Sequence, residues 1–417
     1  MKANKLIRLM GITGMMLLVA MGYGTANPVR KTIYVGGFER EYLVYAPTHH
    51  FPKKAEGVIV CLHGFGRTMN DFFSQYDISA VADSLNMIIV APQALPEQNS
   101  RVQFEATIIS FVTNNRLSLH SVWGCGLGIR ITSRVSGSNR LNEVLNKEVD
   151  DVSFIDRMID ELLLEYSLPE KNLFVLGTSM GGYMTYQYAL KKGGRLSGII
   201  SIAGSMGLNI SGKDYSTSVP VCDFHSTTDE VVPYTGSQTQ LIYNVSLAQP
   251  KADVISYWTQ TNLTGTPVTE QIQYYPSTNG VTVEKITYPD SDNEVIHYKM
   301  NGASHSYFFK KENGDCMDHV EEIIRFIQSH TTGNPNSNLT VKVQNTSFYP
   351  NPVHDRVFFR ATTGIVSIYD LTGKNLYTQS FTDGQVDLSF LKPGTYIIRI
   401  QEGNTIQTGK LIKILKR

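Results

Sequence analysis

The sequence predicts an α/β protein, a mostly parallel doubly wound sheet, followed by a small all-β sandwich. Three observations lead to it. Short apolar runs alternate with stretches of helical periodicity up to about residue 330, a polar break rich in Thr, Gly, Asn and Pro follows, and only closely spaced strand-like runs lie beyond it. Runs that are apolar throughout belong to strands covered on both faces. Strands alternating with helices imply parallel neighbours joined by crossovers.

In chain order, Lys2, Lys5 and Arg8 precede an apolar stretch from Leu9 to about Met21 and the small residues Gly24, Thr25 and Ala26. That is the pattern of a secretory signal peptide over residues 1–26. The apolar run is interrupted by Gly11, Thr13 and Gly14 and falls short of the roughly 20 residues that span a bilayer, so no transmembrane anchor is expected. Lys31 to Val35 and Glu41 to Tyr45 alternate around Gly36-Gly37, which predicts a hairpin. Gly57 to Leu62, Met87 to Ala91, Leu173 to Leu176, Ser197 to Ile202, Val219 to Cys222 and Val295 to Met300 read as strands. From Asp151 to Tyr166, Val152, Ile155, Ile159, Leu162, Leu163 and Tyr166 recur on one helical face. The last helix of this part is expected over Asp318 to Ser329. Glu97 to Lys147, with Trp123 and Cys125, is long and irregular and reads as a lid or binding loop.

The boundaries expected are an α/β region over 27–330, a linker over 331–345 and a β-domain over 346–417. In the last of these, Val357 to Phe359, Ile365 to Tyr369, Leu376 to Ser380 and Tyr396 to Ile400 are separated by Thr372-Gly373, Asp383-Gly384 and Pro393-Gly394. Ten basic and five acidic residues lie over 331–417, a modest excess that solvated strand faces explain.

Composition excludes several functions. Of 417 residues 41% are hydrophobic, enough for a large core, and 37 Lys plus Arg balance 37 Asp plus Glu. No global basic field exists to hold nucleic acid. Cys61, Cys125, Cys222 and Cys316 show neither CxxC pairs nor close Cys/His spacing, so metal is not implied. Cys61 and Cys222 sit in apolar runs and read as core thiols. Cys125 and Cys316 remain a candidate disulfide in an exported chain.

The segment Leu173 to Tyr183 carries the chemistry. Gly177-Thr178-Ser179-Met180-Gly181 is a G-x-S-x-G string, weak alone, but an apolar strand runs into it and a helix-compatible stretch, Tyr183 to Leu190, leaves it. This is the strand-turn-helix of a nucleophile elbow, in which Gly177 and Gly181 leave room for neighbouring backbone and Ser179 projects above the sheet. A serine hydroxyl needs a base, itself oriented by a carboxylate. In α/β-hydrolases these follow in the order acid, then His, each on a loop after a later strand. Asp229 lies a few residues beyond the run ending at Phe224. Its rivals are Asp223, inside the strand, and Glu230, whose side chain diverges from its neighbour's. His305, in the loop after Val295 to Met300, fits the base, whereas His297 lies within the strand and His319 opens the last helix. For the oxyanion, the glycines of His63-Gly64-Phe65-Gly66 leave backbone donors free, and the N–H groups of Phe65 and Met180 are assigned. His63 and Gly64 are assigned to the support of that loop.

Taken together, His63-Gly64-Phe65-Gly66, Val149-Asp150-Asp151-Val152-Ser153-Phe154, Gly177 to Gly182, Asp229-Glu230-Val231-Val232-Pro233-Tyr234 and Gly302-Ala303-Ser304-His305 resemble the polyhydroxybutyrate depolymerase and feruloyl esterase group of α/β-hydrolases, related to carbohydrate esterase family one. The resemblance covers about residues 30–330. It implies a secreted esterase with a Ser/Asp/His triad and no cofactor. The group often has Gly-Gly-Gly-His then Thr-Trp-Pro around the base, so Ser306-Tyr307 alters the wall beside His305. Phe348-Tyr349-Pro350-Asn351-Pro352, Val366 to Lys374, Leu391 to Tyr396 and the basic end Lys413 to Lys416 resemble the sorting domain of the type IX secretion system. That implies secretion machinery as a partner and a secreted or cell-surface location.

The expectation is a serine carboxylesterase acting through an acyl-enzyme on feruloyl or acetyl esters of plant polysaccharide. The alternatives are a polyester depolymerase of the polyhydroxybutyrate type and, as a different class, an inactive hydrolase-fold surface binding protein.

Overall fold

The computed structural model describes residues 27–47, 55–76, 78–104, 118–132, 139–168, 170–207, 217–236, 248–289, 291–305, 307–332, 348–359, 362–370, 375–402 and 405–414. The signal-peptide segment, most of the expected linker, Ser306, parts of the expected lid and the basic end beyond Ile414 lie outside the described residues.

The large sheet has ten strands. The chain enters as the expected hairpin, β1 (Val29–Val35) and β2 (Phe38–Tyr45), turning on Gly36 and Gly37 at φ 62° and 86°. Then come β3 (Gly57–Leu62), the helices α1 (Met69–Gln75) and α2 (Ile78–Leu85), and β4 (Met87–Pro92). A two-stranded excursion, β5 (Gly128–Thr132) and β6 (Asn139–Val144), precedes α3 (Asp151–Glu165). The rest of the sheet comprises β7 (Leu173–Thr178), α4 (Met180–Lys192), β8 (Gly198–Ile202), β9 (Val221–Ser226), α5 (Lys251–Thr261), β10 (Val268–Ile272), β11 (Thr282–Tyr288), β12 (Val295–Asn301) and α6 (His319–Ser329).

The spatial order is β1-β2-β4-β3-β7-β8-β9-β12-β11-β10. The inner six strands, β4 to β12, are mutually parallel, and antiparallel pairs close both edges. Alternation along β3 sends Val58, Val60 and Leu62 into one core and Ile59 and Cys61 into the other. α3, α4 and α5 cover the first face, and α1, α2 and α6 the second. This is the doubly wound α/β-hydrolase architecture.

Three expectations are corrected. Cys125 and Cys316 are free thiols in different cores, so the sheet separates them and no disulfide forms. The described part of Glu97–Lys147 is not a free lid, because Trp123, Cys125 and Leu145 are fully buried against the first face. β9 starts later than expected and runs through Ser226. β10 and β11 had no apolar run to announce them, since β10 is largely exposed and β11 mixes polar and apolar residues on a half-buried strand.

The tail forms a three-stranded sheet, β13 (Phe348–Tyr349), β14 (Arg356–Phe359) and β17 (Gln385–Asp387), and a four-stranded one, β16 (Asn375–Phe381), β15 (Gly364–Tyr369), β18 (Gly394–Glu402) and β19 (Thr405–Lys413). Both contribute to one core, with Phe348, Val357 and Val386 facing Val366, Ile368 and Ile398, which makes it a small sandwich.

Candidate active site

β7 ends at Thr178 and α4 starts at Met180, leaving Ser179 alone between them at φ 53°, ψ −119°. A side chain at positive φ is strained, and such strain persists only where the surroundings impose it. They do so here. A Cβ on Gly177 would run into the Gly181 backbone, and one on Gly181 into the Leu62 carbonyl, so the helix start is pressed against β7 and β3. Gly182 meets Gly204 in the same way, on the loop after β8. The Ser179 N–H donates to Ile202 O at 2.8 Å, and the side chain is held at the sheet's carboxyl edge, half-buried.

The residues expected to meet this serine do meet it. His305 Nε2 lies 2.8 Å from Ser179 Oγ, and His305 Nδ1 lies 2.8 Å from Asp229 Oδ2. The two loops that deliver them are laced together, since Ala303 O accepts from Ser226 Oγ at 2.6 Å and from Thr228 Oγ1 at 2.8 Å. Asp229 is buried. Its Oδ1 accepts the Val231 and Val232 amides at 2.9 and 2.7 Å, so Oδ2 is left for the imidazole. Burial works to raise its pKa, but the hydrogen bond and charge of His305, the Val232 amide and His225 outweigh it and hold the carboxyl below its ordinary value. Glu230 takes a different part, accepting the His305 N–H at 3.1 Å.

The loop after β3 faces the same serine, for a Cβ on Gly64 would sit 3.4 Å from Ser179 Cβ. Among the described residues no acceptor engages the Phe65 N–H. Met180 opens α4, so its N–H has no acceptor one turn back. Both donors are available to a developing oxyanion. His63 is turned away from the serine: its Nε2 accepts the Ala94 N–H at 3.1 Å, which leaves Nδ1 to donate to Gly64 O at 2.8 Å. Burial lowers its pKa to about 4, and the ring stays neutral. The Trp123 indole lies tilted against it, with ring centroids 4.9 Å apart, and donates to His63 O at 2.9 Å. This brace, from a segment read as a lid or binding loop, went unrecognised in the sequence.

The rivals find one another. Asp223 and His297 are register partners on β9 and β12, with Oδ2 and Nδ1 2.8 Å apart. Lys251 and Tyr186 complete the carboxylate at 2.8 and 2.7 Å. Tyr234 reaches His297 Nε2 at 2.8 Å. His319 is buried in the second core among Phe224, Phe308 and Phe309.

Comparison with known proteins adds to this geometry. Residues 141–257, which carry Ser179 and Asp229, match the phospholipase/carboxylesterase family. Residues 347–414 match the secretion system C-terminal sorting domain, which marks the chain for secretion or the cell surface. A bifunctional acetylxylan esterase/xylanase of Neocallimastix patriciarum is 23% identical over 199 residues, 48% of this chain and 22% of that protein. The chain thus spans about a fifth of that relative's length. Among solved structures, an acetyl xylan esterase from Aspergillus awamori is 12% identical with a TM-score of 0.45, covering 72% of this chain and 98% of its own. An S-formylglutathione hydrolase from Staphylococcus aureus is 11% identical with a TM-score of 0.39, covering 73% and 99%.

Proposed function

We propose that the chain is an exported serine carboxylesterase. Ser179 is the nucleophile, His305 the general base, Asp229 its orienting carboxylate, and the Phe65 and Met180 N–H groups the oxyanion hole. His63, Gly64, Gly177 and Gly181 shape the loops that carry them. The observation that supports this reading is the continuous pair of 2.8 Å contacts from Ser179 Oγ through His305 to Asp229.

In this mechanism His305 Nε2 takes the Ser179 proton as Oγ bonds to the ester carbonyl carbon. The tetrahedral oxyanion is met by the two backbone donors, and the imidazolium returns its proton to the departing alcohol as the C–O bond breaks. Water, deprotonated by the same imidazole, then attacks the acyl carbon and releases the acid and Ser179. Acetyl esters of plant polysaccharide are the substrate class preferred over feruloyl esters, because the curated relative's name includes acetylxylan esterase. Residues 1–26 act as a cleaved signal peptide, 331–345 as a linker, and 346–417 as the domain engaging type IX secretion machinery.

Chromogenic acetate esters and acetylated xylan, offered to wild type and Ser179→Ala, test the activity. A loss of at least about 10³-fold in kcat/KM is expected. Equal rates reject an esterase. Preferential release of ferulate or hydroxybutyrate from their polymers rejects the acetyl assignment.

A further inference from the structure

The rim of this site carries opposite charges on its two sides. On the base side Glu230 is exposed, with one carboxylate oxygen on the His305 amide. On the oxyanion side Arg67 is exposed, directly after the His63–Gly66 loop. Its backbone is fixed, because Arg67 N donates to Gly64 O at 3.2 Å and Thr68 caps α1 through Asp71.

The packing around Gly64 brings the Arg67 stem close to the nucleophile. The point where a Gly64 Cβ would stand is 3.4 Å from Ser179 Cβ and 3.8 Å from Arg67 Cγ, so both side chains border the same face of the loop. Asp71, the nearest acid in the chain, is spent on the Thr68 N–H and hydroxyl at 2.8 and 3.0 Å. Among the described residues no carboxylate lies within ion-pair distance of the Arg67 guanidinium.

A guanidinium is a planar fork whose natural partner is a carboxylate held bidentately. Here its stem borders the loop facing the proposed nucleophile, with no ion-pair partner among the described residues, while the acidic Glu230 stands on the His305 side. Resting on the esterase reading above, we infer that Arg67 is a specificity residue that selects esters bearing a carboxylate near the scissile bond. That carboxylate belongs either to a dicarboxylic acyl group or to an acidic sugar in the alcohol part. Bound there, it lies on the oxyanion side and away from Glu230.

Two matched pairs distinguish the sources. On the acyl side, 4-nitrophenyl hemisuccinate is compared with 4-nitrophenyl butyrate; on the alcohol side, an acetylated uronic acid glycoside is compared with its neutral sugar counterpart. Wild type is expected to favour the anionic member of one pair by about tenfold or more in kcat/KM, the scale of a charged hydrogen bond. The preference should shrink at high ionic strength. Arg67→Gln should erase the ratio, and Arg67→Lys should keep part of it. A ratio unchanged in Arg67→Gln, or neutral esters preferred in both pairs, overturns the inference. Failure of folded wild type to cleave even the neutral esters strikes the esterase reading, and the inference falls with it.

Discussion

His297 Nδ1 lies 2.8 Å from Asp223 Oδ2 inside the core, the same separation as His305 Nδ1 and Asp229 Oδ2 on the loops beyond the same two strands. The inner pair is sealed, and Lys251 shares its carboxylate. Burial opposes the Asp223 charge, but the Lys251 ammonium and His297 overcome it and hold the carboxyl well below its ordinary value. The outer pair has a hydroxyl on its free nitrogen and a partly exposed imidazole.

Substitution should therefore separate the two pairs. Asp223→Asn leaves a buried ammonium without its counter-charge and should cost about 3–5 kcal/mol in urea unfolding. Asp229→Asn keeps the Val231 and Val232 amide bonds through its Oδ1 and should lose far less stability, while kcat on a chromogenic ester falls by about 10⁴-fold. Reversed outcomes would exchange the roles of the two acids.

Gly181→Ala should disturb the elbow. The added methyl collides with the Leu62 carbonyl, and backbone on both sides has to move. A stability loss of about 1–3 kcal/mol or more is expected, with ester turnover lost in the protein that remains folded. Wild-type stability and turnover would contradict the close approach of α4 to β3.

Trp123→Phe removes one N–H from His63 O while keeping an aromatic ring beside the imidazole. The peptide that leads into the Phe65 donor loses its brace. Since the bond is worth about 1 kcal/mol, kcat should fall several-fold with KM little changed. A change confined to KM would show that the indole acts on substrate binding and not on the oxyanion loop.

Acid should destabilise the fold early. Burial lowers His63 to about 4, His319 to about 3, and His225, with help from the Lys251 charge, to about 4. In the unfolded chain these groups titrate near 6.5. Their contribution is complete above that value and is lost as pH falls toward 4, because only the unfolded chain takes up the protons. Urea midpoints measured across this window should drop. His319→Gln, which retains an acceptor for the Phe309 N–H, should flatten the drop. An unchanged slope in that variant would contradict a neutral buried His319.

What was legible in the sequence was what chain geometry forces locally. Gly177, Ser179 and Gly181 stand at offsets that a strained turn demands, and Asp229 and His305 could be told from Asp223 and His297 because loops follow strands. Pairings set by long-range register were not legible: nothing local says that Asp223 and His297 are neighbours on parallel strands, or that Trp123 reaches back to His63. β10 was missed because an exposed edge strand needs no apolar run, and β11 because its apolar residues are interspersed with polar ones on a half-buried strand. The Cys125–Cys316 candidate failed because the sequence does not say on which face of the sheet each thiol falls.

The most direct measurement is covalent capture of the nucleophile. Wild type treated with a fluorophosphonate should gain one phosphonyl group per chain, located by peptide mass spectrometry on Ser179, and His305→Ala should label far more slowly. Labelling of any other residue, or none in folded protein, would contradict the assignment of Ser179 as an activated nucleophile.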